Sequence, residues 1–141
     1  LCRLAHSACL MHLSPIGKVI SLINFVIFGI EISVQCPIGK GLILPHTHGT
    51  VIGASEIGEN VTIFQGVTLG AKELDAGYDF DSRPIISCGV ILGAGSKILG
   101  NVVVGESACV GANAVVLESI PNNAIAAGIP AKVVKINDNN N

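Results

Sequence analysis

The sequence predicts an all-β solenoid, a parallel β-helix headed by a short helical segment, on three observations. Aliphatic side chains recur at every sixth position through Ile86, Leu92, Ile98, Val104, Val110 and Val116. A small or aliphatic residue follows each by four, at Val90, Ser96, Val102, Ala108, Ala114 and Ile120. Half of the 141 residues are hydrophobic, yet only 4% are aromatic and none is Trp, which suits a narrow shaft filled by Val, Ile, Leu and Ala. A period of six matches neither the 3.6-residue turn of a helix nor the alternation of a flat strand. Each hexad supplies one short strand and one turn, and stacking of the coils buries what a single coil leaves exposed.

Residues 1–30 lack the repeat and read as helical. Leu1, Leu4, Ala5, Ala8, Cys9 and His12 keep helical spacing, and Ser14-Pro15 marks the start of a second short helix reaching about Phe25. Their expected place is on the first coil, covering its open end. The apolar run from Val19 to Ile32 is broken by Ser21, Asn24, Gly29 and Glu31 and is shorter than the ~20 residues of a membrane span. No signal peptide is evident. The start at Leu1 leads us to expect a trimmed upstream segment, and Cys residues without a C-x-x-C pair lead us to expect a cytoplasmic protein.

Residues 31–136 form the predicted β-helix. Ile32, Ile38 and Leu44 keep one phase, while Val51, Ile57, Ile63 and Leu69 keep another, so the register slips by one residue around His46 and His48. A second interruption, 71–84, is polar and long, with Lys72, Glu73, Asp75, Asp79, Asp81 and Arg83. Long loops on a regular scaffold often carry function. Three hexads make a triangular coil, giving coils at 86–103 and 104–121, with the small residues expected at the corners. Residues 137–141 read as a disordered tail.

Net charge of −2 without a basic cluster excludes a nucleic-acid footprint. Five Cys, with no C-x-x-C pair, read as reduced thiols. Catalytic candidates are few. His46 and His48 are two apart and would share a strand face. A zinc site needs a third ligand that is not near, so no metal is expected and a general base is preferred. Glu31 lies fifteen residues before His46, nearly one coil, and strands stack about 4.8 Å apart. It is either the carboxylate that orients His46 or an exposed strand-end acid.

The segments Arg3-Leu4-Ala5-His6, Glu31-Ile32, Ile38-Gly39-Lys40-Gly41-Leu42, His46 with Gly49, Val61 through Gly70, Leu92 through Asn101 and Ala127 through Lys132 carry a further signal. Together they resemble the serine acetyltransferase branch of the hexapeptide-repeat acyltransferases, over nearly the whole chain. The resemblance implies a left-handed coil, a homotrimer with sites between subunits, and acetyl-CoA as donor. It implies His46 as catalytic base and Glu31, where the family has Asp, as its orienting carboxylate. Gly70, Ala71, Ala94 and Ala112 fall on the family's slot for the CoA arm, and Lys132 and Lys135 either meet its phosphates or form a solvated basic end.

Two positions depart from that pattern. Pro45 stands where the family has a serine-binding Asp, and Arg83 replaces a loop His. Pro45, His48 and Arg83 are therefore expected to line an altered acceptor site. The favoured acceptor is a sugar hydroxyl in surface-polysaccharide biosynthesis, ahead of L-serine in cysteine biosynthesis. A non-catalytic β-helix scaffold is the reading from another class.

Overall fold

A computed structural model of the chain describes residues 11, 14–74 and 77–137. Each short strand is made by a pair or triplet around one inward aliphatic residue, and the strands stack into three parallel ladders. One sheet runs β1 (Ile30–Ile32), β2 (Thr50–Ile52), β5 (Thr68–Gly70), β8 (Lys97–Leu99), β11 (Val115–Val116). A second runs β4 (Thr62–Ile63), β7 (Ile91–Leu92), β10 (Cys109–Val110), β12 (Ala124–Gly128) and ends on β13 (Ala131–Ile136), which is antiparallel to β12. The third is β3 (Glu56–Ile57), β6 (Ile85–Ile86), β9 (Val103–Val104).

The register measures the coil. Ile85 lies opposite Val103, Ile91 opposite Cys109 and Lys97 opposite Val115, eighteen residues apart in each case, as three hexads require. Glu56 lies opposite Ile85 and Thr68 opposite Lys97, twenty-nine apart, because the loop is inserted between those coils without disturbing the stack. The predicted coil 104–121 is shorter than expected. Cys109 lies opposite Ile125 and Val104 opposite Ile120, sixteen residues apart, as the chain turns early at Pro121-Asn122-Asn123.

The core is the aliphatic ladder, with Ile57, Ile63, Leu69, Ile86, Leu92, Ile98, Val104, Val110 and Val116 all buried. The small residues are not at the corners. Val90, Ser96, Ala108 and Ala114 are fully buried and fill the shaft between the larger side chains. The corners belong to residues with positive φ, such as Gly66 (+71°) and Gly95 (+72°), a conformation that a Cβ opposes.

The phase slip also differs from the sequence reading. Thr50 and Ile52 point inward and Val51 is half-exposed, so the inward positions step by eight from Leu44 to Ile52 and by five from Ile52 to Ile57, and the net slip of one residue is reached without Val51. Thr50 is tolerated inside because its Oγ1 accepts a hydrogen bond from the Gly66 backbone N–H at 3.1 Å.

The helix α1 spans Ser14–Phe28, three residues beyond the predicted end. Gly29, at φ +65°, stops it, and its N–H caps the Phe25 carbonyl at 2.9 Å. α1 adjoins β1 through Ser21, whose Oγ donates to the Ile32 carbonyl at 3.1 Å. Leu22, Val26 and Ile27 on it are exposed. Among the described residues no helix is long and apolar enough to cross a membrane. The predicted first helix, with His6 and His12, and the predicted tail at 138–141 lie outside the described residues.

Candidate active site

Stacked turns build one corner of the coil. The Gly66 N–H donates to the His48 carbonyl at 3.1 Å, Gly95 N–H to the Gln65 carbonyl at 2.9 Å, and Asn113 N–H to the Ala94 carbonyl at 2.8 Å. His48, Ala94 and Ala112 therefore share one edge. At about 4.8 Å per coil, Ala94 and Ala112 lie about 10 and 14 Å below His48. Their small side chains leave the edge open along that run.

His46 precedes His48 by two residues in the loop that leads to this edge. It is not on a strand, and neither is His48, so the expected sharing of one strand face does not hold. Pro45 occupies a bend, His48 a turn, and all three are exposed. The segment is tied to the end of α1: Thr47 Oγ1 donates to the Phe28 carbonyl, and Gly49 N–H to the Gly29 carbonyl at 2.9 Å.

Glu31 and His46 are not register neighbours. The first coil takes twenty residues to return, so Glu31 lies opposite Val51, and no hydrogen bond or ion pair joins Glu31 to His46. The fifteen-residue offset falls five residues short of one turn of the solenoid.

Glu31 instead opens onto a pocket of about 450 Å³ on the outer face of the β1-β2-β5-β8-β11 sheet. Gly53, Gly70 and Ala71 form part of its floor, and Lys18, Tyr78 and Arg83 part of its wall. Arg83 is held from two sides. Its Nη1 donates to the Gly53 carbonyl at 2.9 Å, and its guanidinium carbon lies 3.7 Å from the centroid of the Tyr78 ring. A Cβ on Gly53 would meet Arg83 Nη1 at 2.8 Å, so the glycine clears the seat for the guanidinium. At Gly70 an added Cβ would meet nothing within 4 Å, and its φ is not in the left-handed region. Nothing within the chain requires glycine there.

The loop holding Arg83 is itself anchored. Tyr78 donates its phenol proton to the Ala54 carbonyl at 2.8 Å, and Ser55 Oγ donates to the Phe80 carbonyl at 2.9 Å. Burial pushes the Tyr78 phenol up to about 12, against the lowering effect of a Ser33 hydrogen bond and the Arg83 charge. A single 3₁₀ turn, Phe80–Ser82, then delivers Arg83 to the pocket.

Of the residues expected at the site, the structure thus makes two groups. Pro45, His46, His48, Ala94 and Ala112 follow one edge, while Glu31, Gly70, Ala71 and Arg83 surround the pocket beside it. Lys132 belongs to neither and pairs with Glu118 at 3.1 Å on the exposed surface. Lys18, Gly53 and Tyr78 were not singled out from sequence. The available signals were a lone charge in an apolar helix and the chain's single Tyr, five residues before Arg83. Among the described residues no group of three His, Cys, Asp or Glu could hold a metal ion, and Cys36, Cys88 and Cys109 are free thiols.

Residues 83–118 match the family model described as bacterial transferase hexapeptide (six repeats). The chain is 46% identical over 110 residues to a serine acetyltransferase of Haemophilus influenzae, covering 77% of this chain and 40% of that protein. A solved serine acetyltransferase in complex with CoA superposes with a TM-score of 0.86 at 37% identity, covering 94% of this chain and 54% of that one. A soybean serine acetyltransferase complexed with serine gives 0.88 at 38% identity, again covering 94% and 54%. The chain therefore spans about half the length of the relatives it matches. With them it shares a left-handed parallel β-helix headed by a helix.

Proposed function

From the place of this chain in the serine acetyltransferase-like branch of the hexapeptide-repeat acyltransferases, we propose that it is an acetyl-CoA-dependent O-acetyltransferase with L-serine as acceptor. The observation that carries this is the likeness over 94% of the chain to a serine acetyltransferase solved with CoA. The relatives give no support to the sugar acceptor that Pro45 and Arg83 suggested from sequence, and they turn the reading toward an amino-acid hydroxyl.

In this reading CoA follows the open edge past Ala94 and Ala112, and Gly70 and Ala71 leave room for its arm. His46 accepts the proton of the acceptor hydroxyl as the oxygen attacks the thioester carbonyl. The tetrahedral intermediate collapses, the C–S bond breaks, and the CoA sulfur leaves with the proton returned by His46. Lys132, engaged with Glu118 across exposed surface, is a weak anchor for the CoA phosphates. A homotrimer belongs to the same proposal.

The test is thiol release from acetyl-CoA by the purified protein, with L-serine, hexoses and sialic acid compared as acceptors, alongside a solution mass measurement. Serine-dependent release from a trimer is expected. Release with a sugar and none with serine would reverse the acceptor assignment, and no release with CoA failing to shift the melting temperature would favour a scaffold.

A further inference from the structure

We propose that α1 is a membrane-docking helix whose outward face rests on the headgroup–acyl boundary of an anionic lipid bilayer. The docking goes beyond the transfer reaction and does not depend on which acceptor is used.

α1 is inside out for a helix in water. Its inward stripe is small and polar: Gly17 and Asn24 are buried, and Ser21 Oγ is bonded to the Ile32 carbonyl at 3.1 Å. The opposite stripe, Val19, Leu22, Ile23, Val26 and Ile27, is wholly aliphatic and exposed, Val26 to 73%. A helix on the surface of a water-soluble domain turns its apolar stripe to the core and its polar stripe outward. Soluble monomers rarely expose a contiguous apolar patch beyond a few hundred Å².

Two observations select lipid as the occupant. The first is the chemistry of the stripe. None of its five side chains carries a hydrogen-bond donor or acceptor, whereas protein interfaces hold about one hydrogen bond per 100–200 Å². Acyl chains ask for none.

The second is charge. Arg3, Lys18 and Lys40 against Glu31 alone give residues 1–52 a charge of +2. The remaining residues, with five Lys or Arg and nine Asp or Glu, carry −4. The segment that builds α1 and the first coil is thus the cationic part of an acidic chain, which complements an anionic surface. Lys18, the only charge in α1, is exposed on the flank of the stripe, where its long stem can lie along apolar surface while the ammonium reaches the headgroups.

The helix lies on the bilayer and does not cross it. Its 15 residues reach about 22 Å, short of the ~30 Å hydrocarbon core. Interfacial helices of this kind sink one apolar face into the headgroup–acyl boundary. The C-terminal end of α1 holds the His46 segment, because Thr47 Oγ1 donates to the Phe28 carbonyl and Gly49 N–H to the Gly29 carbonyl. Docking therefore brings that segment close to the lipid surface.

The experiment is flotation of the whole 141-residue chain with vesicles of phosphatidylcholine containing phosphatidylglycerol, and with phosphatidylcholine alone. The wild type should float with both and about 10-fold better with the anionic vesicles, the effect of one or two cations near the surface. The double variant Leu22→Gln/Val26→Gln should bind at least about 10-fold more weakly, since both side chains lose their apolar burial. Its melting temperature and solution mass should match the wild type, because both positions face outward.

A wild type that does not float overturns the docking, as does flotation that the double variant leaves unchanged. A double variant of lower solution mass also overturns it and assigns the face to a second copy of the chain. A double variant that melts lower, beside a wild type that does not float, assigns the face to another part of the chain.

Discussion

The guanidinium carbon of Arg83 lies 3.7 Å from the ring centroid of Tyr78, so the pocket's cation is seated on an aromatic face whose hydroxyl is spent on the Ala54 carbonyl. Burial raises the Tyr78 pKa from 10.0 to about 12. The folded state therefore keeps a proton that the unfolded state releases first. The stabilisation is fully present below pH 10 and is lost as pH rises toward 12. Tyr78 is the only tyrosine, so phenolate absorbance reports it alone. A titration midpoint near 10 in the folded protein would contradict the burial and the bond to Ala54. Tyr78→Phe keeps the ring under Arg83 and should flatten the loss of stability over the same pH range.

His46→Ala should lose at least about two decades in kcat, the lower bound for removing a general base. Its circular dichroism should match the wild type, because His46 is exposed and lies outside every strand. Turnover within a few-fold of wild type would remove His46 from the mechanism.

Gly70→Ala separates a ligand requirement from a folding one. An added Cβ meets no atom within 4 Å and φ is permissive, so stability should hold or rise slightly as the unfolded chain loses freedom. The KM for acetyl-CoA should rise about 10-fold, equivalent to about 1.4 kcal/mol. An unchanged KM would place the CoA arm elsewhere.

Ser96 lies fully buried in the shaft, and its Oγ has no hydrogen-bond partner. Ser96→Ala removes an unpaired polar group at little cost in volume and should stabilise by about 1 kcal/mol. In thermal unfolding that corresponds to a rise of about 2–4 °C for a domain of this size. A lowered melting temperature would indicate a partner inside the shaft.

The solenoid was readable because its period is local: each inward aliphatic residue is six from the next, whatever lies far away in sequence. The slip at Thr50 was misjudged because an inward threonine is admissible only when a distant group, here the Gly66 N–H, satisfies its hydroxyl. His46 was found by residue type and resemblance, whereas its relation to Glu31 depended on coil length. Fifteen residues looked like one coil, and the chain uses twenty. The seat of Arg83 on Tyr78 and Gly53 was hidden for a similar reason. The loop folds back thirty residues to reach Gly53, a contact that no spacing pattern encodes.

The antiparallel strand β13 has a consequence for growth. A stack of parallel coils contains no internal signal for its own length, since every exposed ladder edge is a template for one more coil. By reversing direction after Gly128 and pairing back along β12, the chain occupies the edge of one of its three ladders with its own backbone. Exposed Lys132 and Lys135 then place charge where an incoming strand would have to dock. The reversal is a stop signal written in topology, and deleting it would be expected to turn a molecule of fixed size into one that polymerises end to end.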